Sequence, residues 1–434
     1  MAVSTAQHGR RASRLSFLRM AERFRLELLY VLVTVPSGLL LILFDRNPSR
    51  NDFDPHWDRA RQIASGVLRA IPDPSGSGNY GGYDAAGNFV AFNNTAINSP
   101  FLYFPSVLGG GHLRVSSLLT LLCCTAMVCA AIRLAQRYGT IVLAVAILPT
   151  FFLSIVYPTA DAVTNAYALL WVAYVLHLYQ TPRIGGRRWI VLALMGLLLG
   201  LIKVTCIALA PLLLLLPARA GWKDRTVWTG IVAAGFATLA SALAWMRMTR
   251  NIPPSAVITA DDYHKGMSTI LHSPLRLLES VWYTLINPLD LTGDQYDTGR
   301  NIQLAVGAEF TQLPLTIMAP VLLACMLLVV ARNADLPRLD VVSRGAVTLS
   351  VVAFYVLNVI GMLALFAAYS LGTYAGGMQS RYFIPILAPM ALLLPNLGIR
   401  INDGRMPRML ITGLIVWSYV GLLCAHLIAF PHVA

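Results

Sequence analysis

Continuous apolar runs recur along nearly the whole of this 434-residue chain, and they leave few folds open to it. Many reach the roughly 20 residues that carry an α-helix across a bilayer. Strands of a transmembrane barrel alternate apolar and polar residues at every second position. These runs do not, so a barrel is excluded. In hydrocarbon the backbone must satisfy its own hydrogen bonds, which leaves helices. Composition points the same way: the chain is 57% hydrophobic and 12% charged, where a soluble domain is about 25% charged. The expected fold class is an all-α polytopic membrane protein with about 11 transmembrane helices.

In chain order, residues 1–25 form a polar, arginine-rich tail expected on the cytoplasmic side. Residues 26–430 form a single transmembrane domain. The first span, 26–44, reads as a signal anchor that stays, because it is long and lacks a clean small-residue cleavage site. Residues 45–100 form a long first outer loop. Within it, Asp54 and Pro55 read as the N-cap and first residue of a helix. Trp57, Ala60, Ile63, Val67 and Ile71 then recur at helical spacing, giving an amphipathic helix able to lie in the interface. Residues 75–94, rich in Gly, Asn and Tyr, read as an irregular loop. A second span, 101–132, should break near residues 109–111. Residues 189–217 are too long for one untilted span and carry Lys203 at their middle. With basic residues at both ends, they read as two short helices with Lys203 at the outer tip; a single span is the alternative. A second long outer region, 247–314, holds an amphipathic segment at 273–286.

The 33 lysines and arginines against 20 acids give a net charge of +13. In a soluble protein such a balance suggests nucleic acid. Here the basic residues fall in short loops between apolar runs, the positive-inside pattern, and no nucleic-acid partner is expected. Acids concentrate on the outer side. They do not carry the orientation rule, so a catalytic or binding face there is the reason we infer. The six cysteines, Cys123, Cys124, Cys129, Cys206, Cys325 and Cys424, all lie in apolar runs. That argues against outer-loop disulfides and a thiolate metal site. No nucleotide-phosphate loop, Cys/His zinc spacing or Ser–His nucleophile motif appears.

The densest polar stretch is residues 51–59, just past the first span. Asp52 and Asp54 form an Asp-x-Asp there. One carboxylate can act as general base toward an acceptor hydroxyl, and a pair can hold a divalent cation such as magnesium or manganese. The plainer reading is that Asp54 caps its helix and Asp52 is solvated. His56 and Arg59 lie about one turn apart and can contact a phosphate or sugar; a surface Asp–Arg pairing is the alternative for Arg59. Asp161 sits at a hairpin tip between two apolar runs, where an acid facing lipid is expensive and marks a functional position by default. It can pair with a metal or with Lys203, or cap the following helix. Lys203 stands alone in its apolar segment, so a buried partner or an anionic ligand suits it better than snorkelling to the interface. Arg381 stands at the mouth of a late span, where a guanidinium suits forked phosphate binding and a simple interface anchor beside Tyr382 is the alternative. The aromatic entry at residues 98–105 reads as an interfacial belt.

In order along the chain stand His56-Trp57-Asp58-Arg59-Ala60-Arg61-Gln62-Ile63, Asn98-Ser99-Pro100, Asp161 after a Pro-containing turn, Lys203 in a Gly-Leu-Ile-Lys setting, and Gln379-Ser380-Arg381-Tyr382-Phe383-Ile384-Pro385. With these residues the chain resembles a bacterial polytopic membrane family filed as a domain of unknown function. Through that family it resembles the GT-C glycosyltransferase superfamily. The likeness runs over residues 26–395, and the Gln-x-Arg-Tyr-Phe segment is its most specific part.

The resemblance implies inverting transfer of a sugar from a polyprenyl-phosphate donor to a cell-envelope glycan or lipid acceptor. It places the reaction on the outer face of a bacterial plasma membrane. It puts the catalytic acid in the first outer loop, on Asp52 or Asp54. The family's acids are adjacent, whereas Phe53 separates them here, and both stay candidates. Lys203 and Arg381 are the expected donor-phosphate ligands. His56, Arg59, Asp161, Gln379 and Tyr382 are the expected substrate contacts. Asp52, Asp54 and Asp161 are the candidates for any metal. A flippase for lipid-linked oligosaccharide and an O-antigen-type ligase or polymerase are the competing classes.

Overall fold

The computed structural model describes residues 22–45, 53–253, 258–286, 315–330, 339–373, 375, 380–395 and 404–429. Helix α1 is Arg25–Phe44, matching the first expected span. Helix α2, Phe53–Ala64, forms where the amphipathic pattern begins but ends before Val67 and Ile71, and its buried face carries Phe53, His56, Arg59, Ala60, Gln62 and Ile63, so that Arg59 lies on the buried side and Trp57 is half-buried. It begins one residue before Asp54, so Asp54 lies in the first turn instead of capping it. Residues expected to form an irregular loop are instead a small antiparallel sheet. Its strands are β1 (Ile71–Pro72), β2 (Tyr80–Tyr83) and β3 (Phe89–Ala91), in that order. The strands are too short for a period-two pattern to register. Their turns are made by Asp73 and Asp84, whose carboxylates accept backbone N–H bonds from Ser75 and from Ala86 and Asn88. These bonds hold both carboxyls below their ordinary range: for Asp73 the Ser77 hydroxyl contributes most, for Asp84 the Asn88 N–H. Gly81 is required in β2, because a Cβ there would lie 1.9 Å from the Val90 carbonyl oxygen.

Beyond the sheet the expected break is present. Short turns at Pro100–Tyr103 and Phe104–Val107 precede Gly110 and Gly111, both with positive φ, and α3 follows as Leu113–Ala135. The chain turns at Gln136, the one non-glycine residue with positive φ among those described. Helices α4 (Gly139–Ala146) and α5 (Pro149–Val156) then pack back on α3, the break between them falling just before Pro149. Helix α6, Ala160–Tyr179, is buried on nearly every side and forms the axis of the bundle.

Helix α7, Gly186–Leu201, runs antiparallel to α6: the Tyr167 hydroxyl donates to the Met195 carbonyl at 2.7 Å, and that of Tyr174 to Arg188 at 3.0 Å. The helix stops at Ile202, which is extended, and Lys203, which is non-helical with ψ 134°, and the chain continues as a 3-10 segment, Val204–Leu214, and α8, Leu215–Ala220. Helix α9, Arg225–Thr249, packs along α7. Trp189 covers Gly230, Gly196 meets Ala234 and Gly200 meets Thr238. Contacts that rise together in both numbers mean parallel helices. Two parallel helices need a returning segment between them, and residues 204–220 supply it. Residues 189–217 are therefore two helical segments with Lys203 at the bend, and the single-span alternative falls.

Helices α10 (Ala260–His272) and α11 (Pro274–Ile286) form the described part of the second long loop. Then come α12 (Leu315–Val330), α13 (Val341–Ser370), α14 (Ile384–Leu393) and α15 (Arg405–Cys424). Among the described residues, six helices are long and apolar enough to cross a membrane, and three shorter apolar helices accompany them. The molecule is a mostly helical, multi-pass membrane protein.

Candidate functional site

Asp161 sits in the first turn of α6, where the helix dipole favours a carboxylate. Because α6 is the axis of the bundle, its tip is enclosed and Asp161 is buried. Two cations reach it from different parts of the chain. The bend at Ile202–Lys203 aims the Lys203 ammonium at Oδ1. The turn Ser380–Phe383, which opens α14, brings Arg381 Nε to 2.9 Å from Oδ2. Tyr382 lies against both cations, its ring centroid 4.5 Å from Lys203 Nζ and 5.5 Å from Arg381 Cζ. Asp161 and Arg381 are enclosed, while the Lys203 side chain is 26% exposed. Among the described residues two cations meet one carboxylate, and part of the Lys203 side chain reaches solvent. Such an arrangement can receive an anion.

His56 also stands at the α6 tip. Its Nδ1 lies 2.7 Å from the Tyr103 hydroxyl and 3.4 Å from the Ala160 backbone N–H. A backbone N–H can only donate, so Nδ1 is an acceptor, the Tyr103 hydroxyl donates to it, and a neutral ring carries its proton on Nε2. The Tyr103 oxygen accepts from Asn98 Nδ2 at 3.1 Å. Burial pushes the Tyr103 phenol well above its ordinary range. This chain of bonds fastens α2 and the segment after the sheet to the end of α6 that holds Asp161. Phe53 supports it, packing edge-to-face on Tyr157 at 5.6 Å, while the Tyr157 hydroxyl donates to Asp45 at 3.0 Å.

The structure therefore unites Asp161, Lys203, Arg381 and Tyr382, with His56 beside them. It does not bring Arg59 to the cluster. Arg59 is fully enclosed and donates to the carbonyls of Leu68 at 2.7 Å and Asn98 at 3.2 Å, and to Gln62 Oε1. Gln62 in turn donates to Arg69 and Gly81 carbonyls. Burial without a carboxylate pulls the Arg59 guanidinium down to about 10. Its place is inside the loop domain, not at a substrate surface or in a surface ion pair. Asp54 is exposed, one turn from Asp58 and off the buried face of α2 that carries His56. Asp52 and Gln379 lie outside the described residues. Of the three roles open to Asp161, the structure has the pairing with Lys203, with Arg381 added; the residue lies inside the first turn of α6, after Thr159 at the cap position, and both its oxygens are engaged. A dication there would have to displace them. Among the described residues, no three His, Cys, Asp or Glu side chains converge as metal ligands.

Two members of the network, Tyr103 and Asn98, escape sequence reasoning. A tyrosine in an aromatic entry segment looks the same whether its hydroxyl meets headgroups or a histidine. Asn98 had only its place before Ser99-Pro100 to mark it.

Fold and site together define a polytopic helical membrane protein with a charged cluster built on the tip of its central helix. The chain belongs to the DUF2142 family of predicted membrane proteins, whose model matches residues 84–390. Asp161, Lys203, Arg381 and Tyr382 fall inside the matched region. Helix α2, with Asp54 and His56, precedes it, so the match is shorter at its start than the likeness expected from residue 26. No curated protein and no solved structure matches the chain.

Proposed function

We propose that this chain is a membrane glycosyltransferase of GT-C type. It would move a sugar from a polyprenyl-phosphate donor to a cell-envelope glycan or lipid acceptor, with inversion, on the outer face of a bacterial plasma membrane. The topology that goes with this reading has about 11 crossings. It counts the broken pair α4–α5 and the returning segment 204–220 as one crossing each, and it turns the Asp161 end of α6 outward. The observation that carries the reading is the shared carboxylate: among the described residues Lys203 and Arg381 meet on Asp161 at a helix tip, with the Lys203 side chain partly open.

In the proposed step, Asp52 or Asp54 takes the proton of the acceptor hydroxyl. The hydroxyl oxygen attacks the anomeric carbon, and the bond from that carbon to the phosphate oxygen breaks. Negative charge develops on the departing polyprenyl phosphate. Lys203 and Arg381 oppose it from a low-dielectric site, where fixed charges act most strongly. Asp161 holds the two cations in place between turnovers, and His56 and Tyr382 line the approach.

The test is transfer of radiolabelled sugar from a polyprenyl-phosphate donor in membrane vesicles. Lys203→Gln should reduce transfer by roughly 100-fold, the scale of losing one transition-state charge contact, while the protein stays folded. Asp52→Asn or Asp54→Asn should abolish turnover and leave donor binding nearly intact. Full turnover in both aspartate variants sinks the assignment of the base. Movement of the lipid-linked sugar across the membrane without transfer would make the chain a flippase, and activity confined to oligosaccharide donors would make it a ligase or polymerase.

A further inference from the structure

Away from the Asp161 cluster, a recess of about 490 Å³ opens where α9 meets the outer-loop sheet. Its walls carry the guanidinium-bearing side chains of Arg69, Arg247 and Arg250, with Tyr80 and Asn251. No carboxylate pairs with any of the three arginines among the described residues. Like charges gathered without a counter-charge repel one another, and an anion relieves that repulsion.

The recess is held in shape from several sides. Ile252 packs with Ala70, Phe92 and Ala96 in a small core of its own. The Trp245 indole N–H donates to the Ile97 carbonyl at 2.7 Å, and Arg69 donates to the Met248 carbonyl at 2.8 Å. The sheet and the end of α9 therefore form one wall and stay in register.

What lies below the recess decides the kind of anion. Val232, Phe236, Leu239, Leu243 and Met246 are all exposed, with Phe236 at 72%. Their spacing of four, three, four and three residues puts them on one stripe of α9. Arg250 continues the same stripe four residues on, and Arg247 flanks it. From Val232 to Met246 the stripe is about 21 Å long at the helical rise, more than the roughly 15 Å of one leaflet's hydrocarbon. Apolar side chains lead straight up to unpaired arginines.

We propose that the recess binds the phosphate headgroup of an anionic membrane phospholipid whose acyl chains lie along the Val232–Met246 stripe of α9. Two forked guanidiniums suit a phosphate, and three positive charges favour a lipid with net negative charge over a zwitterionic one. The site is separate from the proposed donor site and does not depend on the transferase reading.

The experiment is native mass spectrometry of the delipidated full-length protein, titrated with phosphatidylglycerol or phosphatidylcholine of the same chain composition. The wild type should retain phosphatidylglycerol about tenfold better, the scale of a lipid charge meeting clustered basic side chains. R247Q/R250Q should lose that preference, R247K/R250K should keep most of it, and Lys203→Gln should leave it unchanged. Equal retention of the two lipids overturns the proposal, as does a preference that survives R247Q/R250Q in folded protein. Displacement of the lipid by millimolar inorganic phosphate would make this a soluble-anion site and overturn it too. So would retention of a polyprenyl phosphate alone. Loss of transferase activity in Lys203→Gln with the lipid preference intact separates failure here from failure of the proposed function.

Discussion

At Asp161 the energetics are those of a buried carboxylate shared by two cations. Taking such charges out of water costs several kcal/mol per ion, and pairing roughly repays it. The cluster is therefore a poor device for stability and a good one for holding two cations close together. Removing the carboxylate is a different matter, because Lys203 and Arg381 are then left facing each other. Asp161→Asn should cost about 3–5 kcal/mol, read as a fall in melting temperature of the detergent-solubilised protein. Lys203→Met should cost less, since Asp161 keeps Arg381 and the Lys203 side chain already reaches solvent. If Asp161→Asn melts like the wild type, the triad is not formed. Of the residues in the site, the charged ones were legible because a lone charge in an apolar run has few reasons to be there. Arg59 misled because a charge one turn from His56 reads as a surface group. The loop carbonyls that enclose it are scattered over residues 68–98 and leave no pattern in the chain. Tyr103 and Asn98 were silent for a similar reason: their roles exist only once the loop folds over α6.

Among the elements, the tightest is the pair α7 and α9. Small residues let the backbones approach, as they do where lipid removes the hydrophobic drive between helices. A Cβ on Gly200 would lie 2.2 Å from the Thr238 carbonyl and one on Gly196 would lie 2.5 Å from that of Ala234. Gly200→Leu must push the helices apart. It should lower the melting temperature by an amount worth at least about 1–3 kcal/mol. Gly235, also in α9, has open space where a Cβ would go. Gly235→Ala should be neutral or stabilise by up to about 1 kcal/mol. Comparable losses in the two variants would mean that helix propensity, and not the seam, sets the response. Long helices were readable from apolar run length, and α2 and α11 from their period. The sheet was not: two to four residues per strand carry too little alternation, and Gly81 and Gly82 in β2 look like loop residues.

For the molecule as a whole, direction matters more than the number of helices. The parallel register of α7 and α9 puts residues 185–187 and 223–225 at one end of the bundle. The antiparallel register of α6 and α7 puts Asp161 and Lys203 at the other. The bonds from His56 to Ala160 and Tyr103 tie α2, and through Gln62 the sheet, to the Asp161 end. Sequence reasoning reached the same arrangement by a separate route, since arginines flank 189–217 on both sides and Lys203 interrupts its middle. Charge alone left the single-span alternative open; the packed glycines close it. A labelling experiment checks the arrangement against a real membrane. In a background with the six cysteines replaced, Ser77→Cys sits in a sheet turn and should react with a membrane-impermeant maleimide in intact cells. Gly186→Cys and Lys223→Cys should both stay unlabelled until the cells are permeabilised. Opposite behaviour of Gly186→Cys and Lys223→Cys would contradict the parallel packing itself. Labelling of Gly186→Cys and Lys223→Cys in intact cells with Ser77→Cys protected would leave the packing intact and invert its orientation in the membrane. That second result would turn the Asp161 cluster toward the cytoplasm and remove it from any outer-face donor.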